Sequence, residues 1–195
     1  GSAILVNAPK DAENIRILGN YVSNAGQGVD IHADRVILAQ NIVENAHVGM
    51  KAMHGSRHVL ILGNQFIKND LWSIGLFPGS ASHGARPARP GQRAQPDNGD
   101  GGSIVADNII SDFGHGDSSW VWGLDNAPIK LDKGPLAENP PITDVVIEGN
   151  IVYDADDRPR YRHAVRFPAD TKGLQFSGNL FHPGSAGVSN AELNP

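Results

Sequence analysis

The sequence predicts an all-β solenoid of six to seven stacked coils, because one strand-like motif recurs along the chain with an asparagine at a constant position. Within the motif, apolar and polar residues alternate with the period of two that a β-strand requires. The first copies are separated by about twenty residues, which is typical of one coil per repeat. The copies occupy residues 15–22, 36–43, 59–66, 103–110, 145–152 and 174–181.

The asparagine column is expected to form both a corner of each coil and a ladder between coils. Asparagine tolerates the left-handed backbone of a sharp corner because its short side chain can bond the local backbone. In stacked coils, equivalent amides lie about 4.8 Å apart and can hydrogen-bond to one another. The column consists of Asn20, Asn41, Asn64, Asn108, Asn150 and Asn179.

Two apolar columns flank the asparagines and predict the core of the solenoid. The residue three places before each asparagine and the residue two places after it are apolar in every copy. The pairs are Ile17 and Val22, Leu38 and Val43, Ile61 and Phe66, Val105 and Ile110, Ile147 and Val152, and Phe176 and Phe181. Four residues after the asparagine, a second polar column predicts the next corner; its members are Asn24, Asn45, Asp112 and Asp154, with Asn69 one step late.

This frame resembles the right-handed parallel β-helix of the pectate-lyase-like superfamily, particularly the right-handed β-helix repeat region of many secreted carbohydrate-active proteins. The resemblance covers about residues 15–188 and implies a right-handed parallel β-helix with an Asn ladder. It also implies a secreted or cell-surface location. It does not specify an activity, because lyases, hydrolases, epimerases, tailspikes and adhesins share this architecture.

Length and composition fit one domain, residues 1–195, with a continuous core. The chain has no cysteine, so disulfides contribute nothing, and its net charge of −5 argues against nucleic acid as a partner. No apolar run approaches the length of a membrane span, and no signal peptide is present. The chain starts directly in a strand without an obvious capping helix, as a fragment of a longer protein would.

Four insertions interrupt the repeat and are expected to form loops around one face of the solenoid. The insertions are 78–102, 113–127, 133–143 and 155–163, and the first is rich in Gly, Pro and Arg. Two precede the second strand of their coil and two follow it, so this strand should form a floor with walls on both sides in coils three to five. Long loops gathered at one place on a rigid scaffold usually bind a ligand.

The expected floor carries charged side chains in adjacent coils. Its outward column contains Lys130 and Arg166, whose backbones should lie about 5 Å apart with both side chains facing solvent. Like charges repel at that distance unless an anion, or an acid such as Asp132, lies between them. Two convergent cations suit the carboxylate or sulfate of a sugar. The alternative is an ordinary solvated stripe with Asp132 as a local counter-ion.

The walls add residue types that bind sugars. Exposed aromatic rings stack on the C–H faces of sugars, whereas a buried tryptophan would only anchor its loop. The candidate substrate-binding residues are Trp120, Trp122, Phe77, Arg160 and Tyr161. Asp154, Asp156 and Asp157 form an oxygen-rich cluster of the kind that suits Ca²⁺, although it matches no ordered calcium-loop motif and no cofactor is expected to be required.

These features favour recognition of an acidic, uronate-containing polysaccharide and, among reactions, β-elimination. That reaction needs a cation to stabilise the charge that builds on the carboxylate and a base of suitable pKa. Arg166 is the expected clamp and Lys130 the expected base, with His163 or His115 as substitutes. A glycoside hydrolase pairing Asp132 with Asp117 or Asp157 remains open, as does a non-catalytic carbohydrate-binding or structural module.

Overall fold

The structure is a computed structural model and describes residues 1–7, 13–118, 126–156 and 158–193. Within these ranges all regular structure is β-strand, and no helix occurs. The strands are β1 (Ser2–Asn7), β2 (Arg16–Leu18), β3 (Tyr21–Ser23), β4 (Gln27–His32), β5 (Ile37–Ala39), β6 (Ile42–Glu44), β7 (Val48–Ala52), β8 (Leu60–Leu62), β9 (Gln65–Ile67), β10 (Trp72–Leu76), β11 (Gly101–Ala106), β12 (Ile109–Ser111), β13 (Ala127–Leu131), β14 (Thr143–Glu148), β15 (Ile151–Tyr153), β16 (Val165–Arg166), β17 (Leu174–Ser177) and β18 (Leu180–Phe181).

The strands of the described ranges form three parallel sheets of six strands each. Sheet 1 contains β1, β4, β7, β10, β13 and β16; sheet 2 contains β2, β5, β8, β11, β14 and β17; sheet 3 contains β3, β6, β9, β12, β15 and β18. Each coil runs through sheet 2, then sheet 3, then sheet 1, and every strand pairs in parallel with its equivalent in the next coil. The protein is therefore a right-handed parallel β-helix, and the predicted fold is confirmed.

The asparagine ladder runs through all six repeats at the corner between sheets 2 and 3. Each asparagine from Asn20 to Asn150 donates its backbone N–H and its side-chain Nδ2 to Oδ1 of the next asparagine, at 2.9–3.0 Å. Nδ2 of Asn41 also donates to the Ile17 carbonyl of the preceding coil at 2.9 Å. The four central amides are almost completely buried, so each one depends on its neighbours for hydrogen bonds.

The left-handed residue of this corner is the one before the asparagine, and the expectation that the asparagine itself adopts that conformation was wrong. Positive φ values of 56–65° occur at Gly19, Gln40, Gly63, Asp107, Gly149 and Gly178. The preceding residue turns the chain, which leaves the asparagine free to aim its amide along the solenoid. The second corner follows the expected rule at Asn24, Asn45 and Asp112, which have positive φ, and the side chains of Asn24 and Asn45 bond at 2.7 Å. In the third coil the left-handed residue is Lys68, not Asn69, and Asp154 has no positive φ.

The core is a continuous stack of aliphatic and aromatic side chains inside the three sheets. The predicted apolar columns lie in it, and the largest side chains are in the later coils, where Phe113 contacts Tyr161 edge-to-face at 6.0 Å. The described residues contain no helix with the length and hydropathy of a membrane span.

The loop between β10 and β11 is held at its base by a buried carboxylate, Asp100. Its Oδ1 accepts hydrogen bonds from the backbone N–H groups of Gly55 and Ser56, both at 3.0 Å, and its Oδ2 accepts one from the Ser82 hydroxyl. These bonds join the loop to the preceding coil. Burial raises the pKa of Asp100 to about 7, although the three hydrogen bonds act in the opposite direction. β11 already begins at Gly101, so the loop ends slightly earlier than the sequence predicted.

We expect Asn41→Ala to lower the free energy of unfolding by about 1–3 kcal/mol, because it leaves buried partners such as the Ile17 carbonyl without their hydrogen bonds. Asn20→Ala is the matched control: Asn20 is exposed and donates to the ladder without accepting from it. Urea denaturation followed by circular dichroism measures both. Equal and negligible losses would show that the ladder does not stabilise the fold.

We also expect Asp100 to make stability depend on pH. Its pKa is higher in the folded protein than the ordinary 3.8, so its contribution is complete below about pH 4 and is lost as the pH rises through about 7. Asp100→Asn should remove this loss, which is on the order of a few kcal/mol for a shift of this size. Denaturation at a series of pH values measures it.

The control is Asp170→Asn, because Lys133 lowers the pKa of the exposed Asp170 and any effect there falls at acid pH. If the parent and Asp100→Asn lose stability in parallel between pH 4 and 8, Asp100 is not the group responsible.

Candidate functional site

Two adjoining cavities form a groove along the outer face of sheet 1. One, of about 330 Å³, is mainly apolar, and the other, of about 280 Å³, is lined by three cationic side chains and is called the cationic cavity. Asp132 lines both. The first is lined by Met53, Trp72, Phe77, Asp132, Gly134 and Pro135. The second is lined by Lys130, Leu131, Asp132, Lys133, Arg166, Phe167, Pro168 and Asn190. We call the two together the sheet 1 groove.

The groove is positioned by the register of sheet 1. Lys130 of β13 pairs with Gly75 of β10 on one side and with Arg166 of β16 on the other. Alternation along these strands sends their neighbours, Ile129 and Val165, into the core. The lysine and the arginine therefore stand on adjacent coils, as the sequence spacing predicted.

Lys130 is only 5% exposed, so the expectation that it faces solvent was wrong. Its Nζ lies 3.0 Å from Oδ2 of Asp132 and 5.2 Å from the centre of the Trp72 ring. The Trp72 and Phe77 rings meet edge-to-face at 4.9 Å beside Gly75, where the absence of a side chain leaves room for them. These rings cover the floor. The Asp132 carboxylate and the aromatic face of Trp72 hold the Lys130 side chain in place.

Arg166 lies at the other end of the groove, and His163 lies two residues before β16. Arg166 is half-buried and lines the cationic cavity. Burial lowers the pKa of His163, and the charges of Arg166 and Arg162 lower it further. His163 is therefore neutral near pH 7, and its buried Nδ1 makes no hydrogen bond with the described residues. A neutral imidazole beside a guanidinium combines a base with a carboxylate-binding group.

A buried polar network lies on the same face in the first two coils. Oδ1 of Asp30 is 2.8 Å from Nε2 of His32, and Oδ2 is 3.3 Å from Nζ of Lys51. Burial pushes the pKa of Asp30 up, but contact with His32 and the charge of Lys51 outweigh burial and leave it below its usual value. The His54 ring packs against His32 at 4.3 Å, and burial, with the nearby charges, lowers the pKa of His54.

Two loops form one rim of the groove at the end of the sheet 1 strands. A side chain at Gly134 would meet the Pro78 carbonyl oxygen at 2.2 Å, and one at Gly79 would meet the His54 ring at 2.3 Å. The loop after β13 thus packs on the loop after β10, which packs on coil two. Close backbone contact at both glycines makes this rim a fixed wall.

His115 and Arg160 lie at the opposite corner, before the sheet 1 strands begin. Nε2 of His115 is 3.2 Å from Oδ2 of Asp154, and Arg160 donates to the Gly114 carbonyl at 3.3 Å. These contacts join two wall loops, and the structure does not place His115 with Lys130 and Asp132. Tyr161 is 2% exposed and bonds the His182 carbonyl, so its expected role in binding substrate is corrected: it is a core residue.

The described part of the 113–127 loop docks along coils two and three. The Asp117 N–H donates to Oδ1 of Asn45 at 2.8 Å, and Ser118 contacts His47 Nδ1 at 2.8 Å. Asp117 thus lies where the sheet 1 strands begin, whereas Asp132 follows the last residue of β13. The five residues of β13 span ~16 Å, at about 3.3 Å per residue. A glycosidase pair is at most about 9.5 Å apart, so Asp117 cannot pair with Asp132.

The expected calcium cluster is only partly within the described residues. Oδ1 of Asp154 accepts the Asp156 N–H at 2.9 Å and Oδ2 contacts His115, while Asp157 lies outside the described residues. Within the described ranges, no group of three His, Asp or Glu side chains is arranged to hold a metal ion. Trp120 and Trp122 also lie outside them, so calcium binding and the role of these tryptophans stay predictions.

Sequence reasoning missed Trp72 as a residue of the groove. It has the same parity along β10 as the core residues Ile74 and Leu76, so alternation predicts an inward side chain. Trp72 is the first residue of β10, however, where the chain leaves the corner, and its ring lies beside Gly75 and Lys130 on the outer face. The pairing of Asp30 with Lys51 could have been found, because the two lie opposite each other on adjacent outward positions.

Comparison with known proteins gives a likeness of architecture at low sequence identity. No protein-family model matches the chain, and no curated protein matches its sequence. Among solved structures, the chain is similar to an alginate lyase from Paenibacillus sp. str. FPU-7, with 11% identity and a TM-score of 0.35. The match covers 94% of this chain and 74% of the other. The assignment of the fold rests on the strand order and registers of the chain itself.

Proposed function

We propose that the sheet 1 groove binds an acidic polysaccharide and cleaves it by β-elimination at a uronate. The observation that carries this proposal is the convergence of Lys130, Asp132 and Arg166 on one cavity that adjoins an apolar, aromatic one. The proposal includes a secreted or cell-surface location and a place in the pectate-lyase-like superfamily, both of which fit a β-helix with a saccharide groove.

The two halves of the groove suit the two chemical faces of a uronate chain. Trp72, Met53 and Pro135 offer apolar surface to the C–H face of a sugar ring. Arg166 and Lys133 offer charged donors to a carboxylate, and a guanidinium can bind both carboxylate oxygens at once. A polysaccharide without carboxylates would make favourable contacts only with the apolar cavity.

Each part of the elimination step is assigned to one residue. Arg166 holds the uronate carboxylate and stabilises the negative charge that develops as the adjacent C5–H proton leaves. His163, kept neutral by burial and by Arg166 and Arg162, accepts that proton. The electron pair forms the C4–C5 double bond as the C4–O bond breaks, and the Lys130 ammonium donates a proton to the departing oxygen. Solvent water then takes the proton from His163 and returns one to Lys130, which restores both groups.

Lys130 therefore acts as an acid in this proposal and not as the base that its position alone suggested. The reason is its ion pair with the Asp132 carboxylate, 3.0 Å away, which holds the ammonium at the groove. A hydrolase would need a second carboxylate near Asp132; Asp117 is too distant to serve, and Asp157 lies outside the described residues. A non-catalytic module would need only the groove and no base.

We expect Arg166→Ala to weaken the binding of a uronate trisaccharide by about 10- to 150-fold, the value of a charge-assisted pair. Stability should change little, because Arg166 lies on the outer face of sheet 1 at the groove. Isothermal titration calorimetry at two salt concentrations measures affinity and its electrostatic share. Arg16→Ala is the control, being an exposed arginine on sheet 2. Equal affinities of the two variants would place carboxylate recognition elsewhere.

We expect His163→Gln to lower the rate of formation of unsaturated uronate products, followed by ultraviolet absorbance, by about 10²- to 10⁴-fold while affinity is retained. His58→Gln is the control, because His58 pairs with Asp34 in the corner that leads into sheet 2. The base must be deprotonated, so activity should fall as the pH decreases through the pKa of His163, which lies below the ordinary 6.5. Arg162→Gln should raise the pKa of His163, so that this loss of activity occurs at higher pH.

The same assay separates the alternative functions. Release of reducing sugar without ultraviolet absorbance would identify a hydrolase, and binding without either signal would identify a non-catalytic module.

A further inference from the structure

A hairpin of residues 83–98 projects from the loop between β10 and β11. Its limbs are joined by antiparallel bridges between His83 and Asn98, Arg86 and Gln95, and Arg89 and Gln92. The turn at its tip is Arg89-Pro90-Gly91-Gln92, where φ of Gly91 is +77° and backbone bonds of 3.1 and 2.8 Å close the turn. Proline fixes the first central residue and glycine adopts the left-handed second one, as in a type II turn. We call residues 83–98 the arginine arm.

The arm is rigid because of its composition and its attachment. Pro87, Pro90 and Pro96 restrict its backbone and that of each preceding residue. At its base, Asn98 donates to the Ala81 carbonyl at 2.8 Å, and Asp100 joins Ser82 to the backbone of coil two. Groups held in place before binding lose little conformational entropy when a ligand arrives.

The arm carries three arginines and no acidic residue before Asp97, in a protein of net charge −5. Within the described residues, Arg86, Arg89 and Arg93 form no ion pair; Arg86 contacts only the side-chain amide of Gln95, at 3.3 Å. All three line one open cavity, whose volume is about 560 Å³. Three uncompensated guanidinium groups around one concavity form a site for anions.

The base of the arm is also the rim of the sheet 1 groove. Gly79 packs on Met53 and His54, and Met53 lines the apolar cavity of the groove. Arg89 lies six residues beyond His83, and an extended proline-rich limb rises about 3.1 Å per residue, or ~18 Å in total. A ligand confined to the groove is therefore too short to reach the tip of the arm, whereas a polymer that leaves the groove can contact it.

We propose that the arginine arm is a second binding site for the same carboxylate-bearing polysaccharide, holding the part of the chain that extends beyond the sheet 1 groove. This inference rests on the proposed function of the groove. The arm contains no Phe, Trp or Tyr, so it lacks the stacking surface that single-stranded nucleic acids use. Its separate arginines can each bind one of the repeated anionic groups of a polymer.

The test compares Arg89→Gln/Arg93→Gln with Arg16→Gln/Lys68→Gln, which removes the same charge from exposed positions on other faces of the solenoid. The ligands are a uronate trisaccharide, a long polyuronate and a single-stranded oligodeoxynucleotide, titrated at low and raised salt. We expect the arm variant to bind the polymer about fivefold or more weakly, as two exposed charge pairs allow, and the trisaccharide as the parent does. The control variant should bind both like the parent.

Each outcome separates the arm from the groove. If the parent binds neither uronate ligand, the proposed function is wrong. If the parent binds both and the arm variant binds the polymer equally well, the arm is not a binding site. Equal losses for trisaccharide and polymer would also overturn the inference, because the arginines would then act on the groove itself. Weaker binding of the oligodeoxynucleotide alone would assign the arm to nucleic acid.

Discussion

The buried asparagine ladder is the interaction on which the rest of the structure depends. Each central amide is sealed from water, so its oxygen and its two N–H groups must find partners in the neighbouring coils. This requirement locks adjacent coils at the spacing of a parallel sheet and prevents one from sliding past the next. Because the registers of all three sheets follow from it, the ladder also determines which outward residues meet on sheet 1.

That fixed register explains how a chain of small, mostly aliphatic coils can hold charged groups in buried positions. Lys130, Arg166 and Asp132 come from two successive coils, and the rigid backbone holds them together where isolated loops would let them separate. Asp30, His32 and Lys51 are collected in the same way three coils earlier. Buried charges of this kind are costly unless paired, and the solenoid supplies the pairing by stacking.

The insertions turn this scaffold into a shaped surface. Their ends join the solenoid through specific contacts, such as Asp100 with Ser56 and Asp117 with Asn45, so the walls are as fixed as the floor. The aromatic rings of Trp72 and Phe77 then cover part of the floor and convert an open stripe of charges into an apolar cavity beside a cationic one. Shape and charge state of the groove are thus products of the walls as much as of the strands.

The sequence by itself determined the repeat, the ladder, the inward columns and the adjacency of Lys130 with Arg166, because strand alternation and coil spacing are local and periodic. Only the tertiary structure decided that Lys130 is buried, that Tyr161 belongs to the core and that Trp72 faces the groove. These positions depend on loops without periodicity, whose course is set by long-range contacts such as those of Asp100 and Gly134. The left-handed residue before each asparagine could not be predicted from the sequence for a related reason. Glycine, glutamine and aspartate occupy this position and share no pattern. They adopt the same conformation because the asparagine amide must point along the ladder.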